Sequence, residues 1–254
     1  MGFLTGLVSI SFRELSTDEL LSRVREAGLS AIEWGGDVHV PAGEVEVARA
    51  VGEGTRQAGI LITEYGSYYR LGVSPPEAID AIVVSARALG TRTVRVWALN
   101  KGSAEASEDE YLRAVADARR ICMKYKDITF CTECHNHTLT DDYEAHLQLL
   151  RDVGQPNFRT FWQPNQYKSF EYNLRSAVSL AAYTDAVHVF SWEGDRKLPL
   201  EQHRERWLAY LGAFVTESRK REMSLMLEFM HDGSIDSLIS TAEQLREMIA
   251  AVDA

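Results

Sequence analysis

The sequence predicts an α/β protein folded as a single (β/α)8 TIM barrel spanning residues 1–254. Three observations predict it. Short apolar runs recur about every 30 residues, segments of helical period lie between them, and the chain of 254 residues is of the usual length for one such barrel. The runs are 6–11, 31–34, 60–65, 93–98, 128–133, 158–163, 186–190 and 224–229. Each is rich in β-branched or aromatic residues, as a strand buried on both faces requires. An open doubly wound sheet would want a glycine-rich turn after the first strand, where this chain has Ser11-Phe-Arg-Glu-Leu-Ser-Thr17. No linker or low-complexity segment divides the sequence.

The helices announce themselves by their ends. Ser16-Thr-Asp-Glu19 has the capping-box pattern, followed by Leu20, Leu21, Val24 and Ala27 on one face. Pro75-Pro76-Glu77 opens another helix, with Ile79, Ile82, Val83 and Ala86 at helical spacing. Gly28, Gly59 and Gly90 each precede a strand, where an αβ turn favours a left-handed residue. The charged stretches 201–222 and 241–252 read as outer helices with one wet face.

Composition narrows the function. A net charge of −10 argues against a nucleic-acid surface, which needs clustered Lys and Arg. No apolar run is long enough to span a membrane, and the start shows neither a signal peptide nor a myristoylation signal, so a cytoplasmic location is expected. Three cysteines fit reduced thiols. Cys131 and Cys134 share a Cys-x-x-Cys spacing, but on an extended strand their sulfurs face opposite ways, and no second such pair exists to complete a zinc site.

Barrel chemistry sits where strands end and βα loops begin. Those positions carry Glu33-Trp34, Glu64-Tyr65, Trp97, Glu133 with His135 and His137, Gln163 with Asn165 and Gln166, His188, and Glu228 with His231. Glu133, Gln163, His188 and Glu228 come from four consecutive strands, so all four can meet at one divalent ion. Two carboxylates, an imidazole and an amide oxygen suit Mn²⁺, Mg²⁺ or Co²⁺, with Zn²⁺ a further option. Each has a plainer reading: the two Glu can pair with Arg95 or Arg159, His188 can be a hydrogen-bonded core histidine, and Gln163 can hydrogen-bond instead of ligating. His135 and His137 read as loop groups or as supports for the site. His39 reads as pocket-lining, whereas His146, His203 and His231 read as surface or loop. Trp34, Trp97 and Trp192 form either a sugar-stacking wall or ordinary packing.

Five segments, Ala31-Ile-Glu-Trp34-Gly-Gly, Val94-Arg-Val-Trp97-Ala, Thr132-Glu133-Cys-His135, Val187-His188-Val and Leu227-Glu228-Phe, in this order on eight strands, resemble the xylose isomerase-like barrel superfamily in its sugar phosphate isomerase/epimerase branch. The resemblance covers essentially the whole chain. It implies a divalent metal at Glu133, Gln163, His188 and Glu228, and acid–base roles for Glu133 and Glu228 on opposite faces of a keto sugar. It also implies a substrate-binding arginine after the seventh strand, here Arg196; from their places at strand ends and in the loops, Trp34, His39, Glu64, Trp97, His135 and Gln166 are expected to contact the substrate. The departure is at strand six, where the family pattern has Asp and then His and this chain has Gln163-Pro-Asn-Gln166. The expected activity is therefore a metal-dependent isomerase or epimerase on a small sugar. A lyase on the same site and a non-catalytic sugar-binding barrel are the alternatives, and a homo-oligomer is open. The nuclease branch needs a richer His/Asp set and a basic surface, which this chain lacks.

Overall fold

A computed structural model describes residues 2–253. Eight parallel strands close into a barrel in the order β1-β10-β7-β6-β5-β4-β3-β2, where β1 is Phe3–Val8, β2 Ala31–Gly35, β3 Leu61–Leu71, β4 Thr93–Ala98, β5 Thr129–Glu133, β6 Phe158–Trp162, β7 Thr184–Val189 and β10 Met223–Leu227. Helices alternate with them on the outside: α1 Thr17–Glu26, α2 Val45–Gln57, α3 Ala78–Leu89, α4 Glu108–Lys124, α5 Tyr143–Val153, α6 Phe170–Leu180, α7 Arg204–Ser218 and α8 Leu238–Asp253. A two-stranded hairpin, β8 Trp192–Glu193 with β9 Arg196–Lys197, sits in the loop after β7. No helix among the described residues is long and apolar enough to cross a membrane.

The local signals act as their chemistry requires. Ser16 and Glu19 form the reciprocal capping box of α1, and Ser107 and Glu110 form a second on α4. Gly28, Gly59 and Gly90 have φ of +66°, +74° and +106°, the left-handed conformation that lets each helix turn into the next strand. The main core fills the space between sheet and helices, with Trp34, Trp162, Trp207, Tyr65, Phe130 and Phe214 among its largest side chains. The Cys-x-x-Cys pair splits as strand alternation demands: Cys131 packs inside the barrel with Phe161 and Ala186, while the Cys134 thiol lies 3.3 Å from His146 Nδ1 on α5.

Two strands depart from their expected limits. The first begins and ends three residues early, because Ser9 Oγ accepts the Gly35 N–H and Ser9–Phe12 turns into a short 3-10 helix. The third continues past Tyr65 to Leu71, with a register shift against β4 between Gly66 and Arg70, and so delivers Tyr68 to the rim of the barrel. His146 is not a surface group. It is fully buried between β5 and α5, with Nε2 2.7 Å from Thr132 Oγ1, and burial pushes its pKa down to about 3, which keeps it neutral.

Candidate metal centre and active site

The C-terminal mouth of the barrel opens into a cavity of about 250 Å³. Glu133, Gln163 and Glu228 line its floor, and beneath them lies His188, which points inward from β7 and is fully buried. One edge of the imidazole faces three groups from neighbouring strands: from Nδ1, Gln163 Oε1 is 3.3 Å away, Glu133 Oε1 3.4 Å and Glu228 Oε2 3.7 Å. The ligating atoms of Glu133, His188 and Glu228 all lie within 4.8 Å of one another. Inward-facing positions at the ends of β5, β7 and β10 produce this convergence, since tilted barrel strands bring successive ends around one rim.

Arg95 on β4 holds the outer oxygen of Glu133. Its Nη1 donates to Glu133 Oε2 at 2.5 Å, and Trp97 Nε1 donates to the same oxygen at 2.9 Å. Arg95 and Glu133 are each only 3% exposed, so this pair is desolvated. Arg159, the other partner considered from sequence, instead bonds Asp185. Burial alone would raise the Glu133 pKa, but Arg95 and then His188 outweigh it and hold the carboxyl well below its usual range. Glu133 therefore divides its labour: Oε2 faces Arg95 and Trp97, and Oε1 faces His188.

Glu228 is placed differently. It is buried, its charged neighbour His188 lies beyond hydrogen-bond length, and burial pushes its pKa up to about 7 against the opposing pull of His188. Burial would lower the His188 pKa, yet Glu33 and Glu228 raise it well above its ordinary value. The donors fit a divalent ion: two carboxylates, one imidazole nitrogen and the Gln163 amide oxygen form a mainly hard set, aimed at one point, with no thiolate.

The walls of the cavity are aromatic and amide-rich. The His135 ring stacks on Trp97 with centroids 4.7 Å apart, and Trp192 packs on Phe229 at 5.7 Å. His135 Nδ1 is 2.7 Å from the Asn136 carbonyl oxygen; a carbonyl only accepts, so this nitrogen carries a proton and Nε2 remains for chemistry. Asn165 Nδ2 donates to Asn136 Oδ1, tying the loops after β5 and β6 together, and Gln166 also lines the cavity.

Of the residues expected at the site, Glu133, Gln163, His188 and Glu228 come together, and Trp97, His135 and Gln166 line the cavity with Trp192. Four others do not reach it. Trp34 faces outward from β2, where its indole donates to Thr55 on α2. His39 is buried with Nδ1 3.2 Å from Ser9 Oγ and Nε2 3.1 Å from the Leu15 carbonyl oxygen. Glu64 lies inside the barrel and bonds Thr63; burial and the nearby charge of Glu33 push its pKa up to about 8, so it is a neutral acid at pH 7. Arg196 sits on the exposed hairpin, paired with Glu193 three residues away. Sequence reading gave no role to Arg13, Tyr68, Asn136 or Phe229, all of which line the cavity. Tyr68 and Arg13 arrive through the unexpected length of β3 and the early end of β1, and neither feature has a local signal. Glu33 was visible as an acid within an apolar strand, without a partner to give it meaning.

No family model matches the chain. A 3-dehydroshikimate dehydratase of Bacillus anthracis is 27% identical over 164 residues, which make up 60% of this chain and 59% of that protein. The match thus spans less than two thirds of the curated relative. Among solved structures, the probable 3-DHS dehydratase AsbF of Bacillus anthracis superposes with a TM-score of 0.78 at 21% identity, covering 96% of this chain and 98% of that one. A xylose isomerase domain protein of Alicyclobacillus acidocaldarius gives a TM-score of 0.76 at 15% identity, covering 99% and 100%. The fold is that of the xylose isomerase-like barrels. An L-ribulose 3-epimerase is also similar, with a TM-score of 0.66 at 15% identity and coverage of 99% and 94%. Barrels of this shape thus include both a dehydratase and an epimerase.

Proposed function

We propose that this barrel is a divalent-metal-dependent lyase that removes water from a small polyhydroxylated ketone. The observation that carries the reading is the inequality of the two carboxylates. Glu133 has one oxygen fixed by Arg95 and Trp97 and a depressed pKa, whereas Glu228 is free of such donors and near neutrality in its proton affinity. Epimerisation needs two groups that trade protons across opposite faces of one carbon. Elimination needs one base and one acid for the departing hydroxyl.

Glu133, His188 and Glu228, with Gln163 beside them, would hold a divalent ion, which would supply positive charge next to the substrate carbonyl and make the α-proton more acidic. Glu228 takes that proton, because neither Arg95 nor Trp97 holds its carboxylate as they hold that of Glu133. The electron pair of the broken C–H bond passes through the enolate and expels the β-hydroxyl. His135 Nε2 delivers a proton to that hydroxyl, which leaves as water, while the Asn136 carbonyl holds the ring through Nδ1. Trp97, Trp192 and Phe229 shield the reaction from solvent, and Asn165 and Gln166 offer donors and acceptors to the remaining hydroxyls.

The dehydratases among the similar proteins make 3-dehydroshikimate the first compound to test. Incubated with the Mn²⁺-loaded protein, it should yield a product lighter by one water, followed by mass spectrometry, and Glu228→Gln should abolish that product. Near-normal turnover in Glu228→Gln would refute the assignment of the base. Turnover of ketoses without change of mass, and none of 3-dehydroshikimate, would favour the epimerase instead.

A further inference from the structure

The far edge of His188 is as constrained as the edge that faces Glu133, Gln163 and Glu228. Its Nε2 lies 2.9 Å from Oε2 of Glu33, a residue only 1% exposed and brought in from the opposite side of the barrel on β2. Glu33 does not line the cavity, so it cannot touch a substrate there. Space for its carboxylate depends on Gly66 of β3, where a Cβ would stand 2.6 Å from Glu33 Oε1 and 3.2 Å from Arg95 Nη2. A buried carboxylate in an otherwise closed position, with a glycine opposite and an imidazole edge in front, is an arrangement with one evident receiver.

We infer that Glu33 is a positioning residue: it accepts the Nε2–H of His188, fixes the plane of the ring, and so presents the Nδ1 lone pair to the ion between Glu133, Gln163 and Glu228. The inference rests on the metal reading of the site. The physical reason is general. A ligating imidazole must keep a proton on the nitrogen away from the ion, and a carboxylate receiving that proton both selects the tautomer and makes the other nitrogen a better donor. Phe161, whose ring meets His188 edge-on at 5.5 Å, braces one face of the imidazole but can do nothing for its tautomer.

The test is Mn²⁺ binding by titration calorimetry on wild type, Glu33→Gln and Glu33→Ala. Glutamine keeps an acceptor oxygen but no charge, so its affinity should fall about 10-fold, whereas alanine should lose about 100-fold. In Mg²⁺-loaded protein labelled with ¹⁵N-histidine, the His188 Nε2–H should exchange slowly in wild type and Glu33→Gln and rapidly in Glu33→Ala. A merely structural Glu33 would lower the melting temperature of the metal-free protein and leave affinity and exchange unmoved. That pattern, or Mn²⁺ affinity within twofold of wild type in Glu33→Gln, overturns the inference. If Glu33→Ala does not fold, Glu33→Gln decides alone. Absence of Mn²⁺ binding in wild type would instead refute the metal reading itself.

Discussion

Replacing Arg95 by methionine probes the desolvated ion pair on which the unequal carboxylates depend. Methionine fills much of the arginine's volume and removes its charge, leaving Glu133 buried with Trp97 as its remaining donor on that side. At an effective dielectric of about 20, unit charges about 4 Å apart attract by about 4 kcal/mol. Stripping one partner from a buried pair typically costs about 3–5 kcal/mol, since the remaining charge stays desolvated. The carboxylates of Glu33 and Glu228 stand close by, so the loss should reach this range. For a domain of this size each kcal/mol moves the melting temperature by about 2–4 °C, so metal-free Arg95→Met should melt about 6–20 °C below wild type by calorimetry. The double variant Arg95→Met/Glu133→Gln should regain at least about half of that loss, because it removes the orphaned charge too. A single variant as stable as wild type, or a double variant no better than the single, would refute the pairing and with it the argument that Glu133 is held away from base catalysis.

Two further outcomes follow from the same interior. Glu64 is protonated in the folded protein up to about pH 8 and in the unfolded chain only to its ordinary value near 4.5, so its contribution to stability is full below about pH 4.5 and is lost as pH rises toward 8. Chemical denaturation of Glu64→Gln across this range should therefore show a smaller fall in stability between pH 5 and 8 than wild type; an unchanged slope would place the proton elsewhere. Gly66→Ala should displace Glu33 and weaken Mn²⁺ binding by a factor comparable to Glu33→Ala, measured by the same titration, and unchanged affinity would mean that the backbone shifts to admit the methyl.

Strand and helix positions were legible because they rest on short-range rules. Apolar runs of period two or of continuous burial, caps such as Ser16–Glu19, and left-handed glycines at 28, 59 and 90 all act within one turn or one strand. The boundaries that failed, at the end of β1 and beyond Tyr65 in β3, were set by contacts between strands, such as the Gly35 N–H donated to Ser9 Oγ. The same division holds at the site. Glu133, His188 and Glu228 stood out because an ionisable group closing an apolar strand is costly to bury without a counterpart. Trp34 and His39 share those surroundings in sequence, yet Trp34 belongs to the outer face of β2 and His39 to a loop that folds back on Ser9 and Leu15.

The sequence by itself determined that this chain closes a (β/α)8 barrel and which strand ends carry acids and imidazoles, because periodicity and burial cost are properties of single segments. Only the tertiary structure decided how those groups share their protons and charges. Arg95 takes one oxygen of Glu133, Glu33 takes the far nitrogen of His188, and Glu228 is left with neither. The physical reason is distance. Glu33 and His188 are far apart in the chain yet 2.9 Å apart across the barrel, and Coulomb interactions in a dry interior depend on that second separation alone.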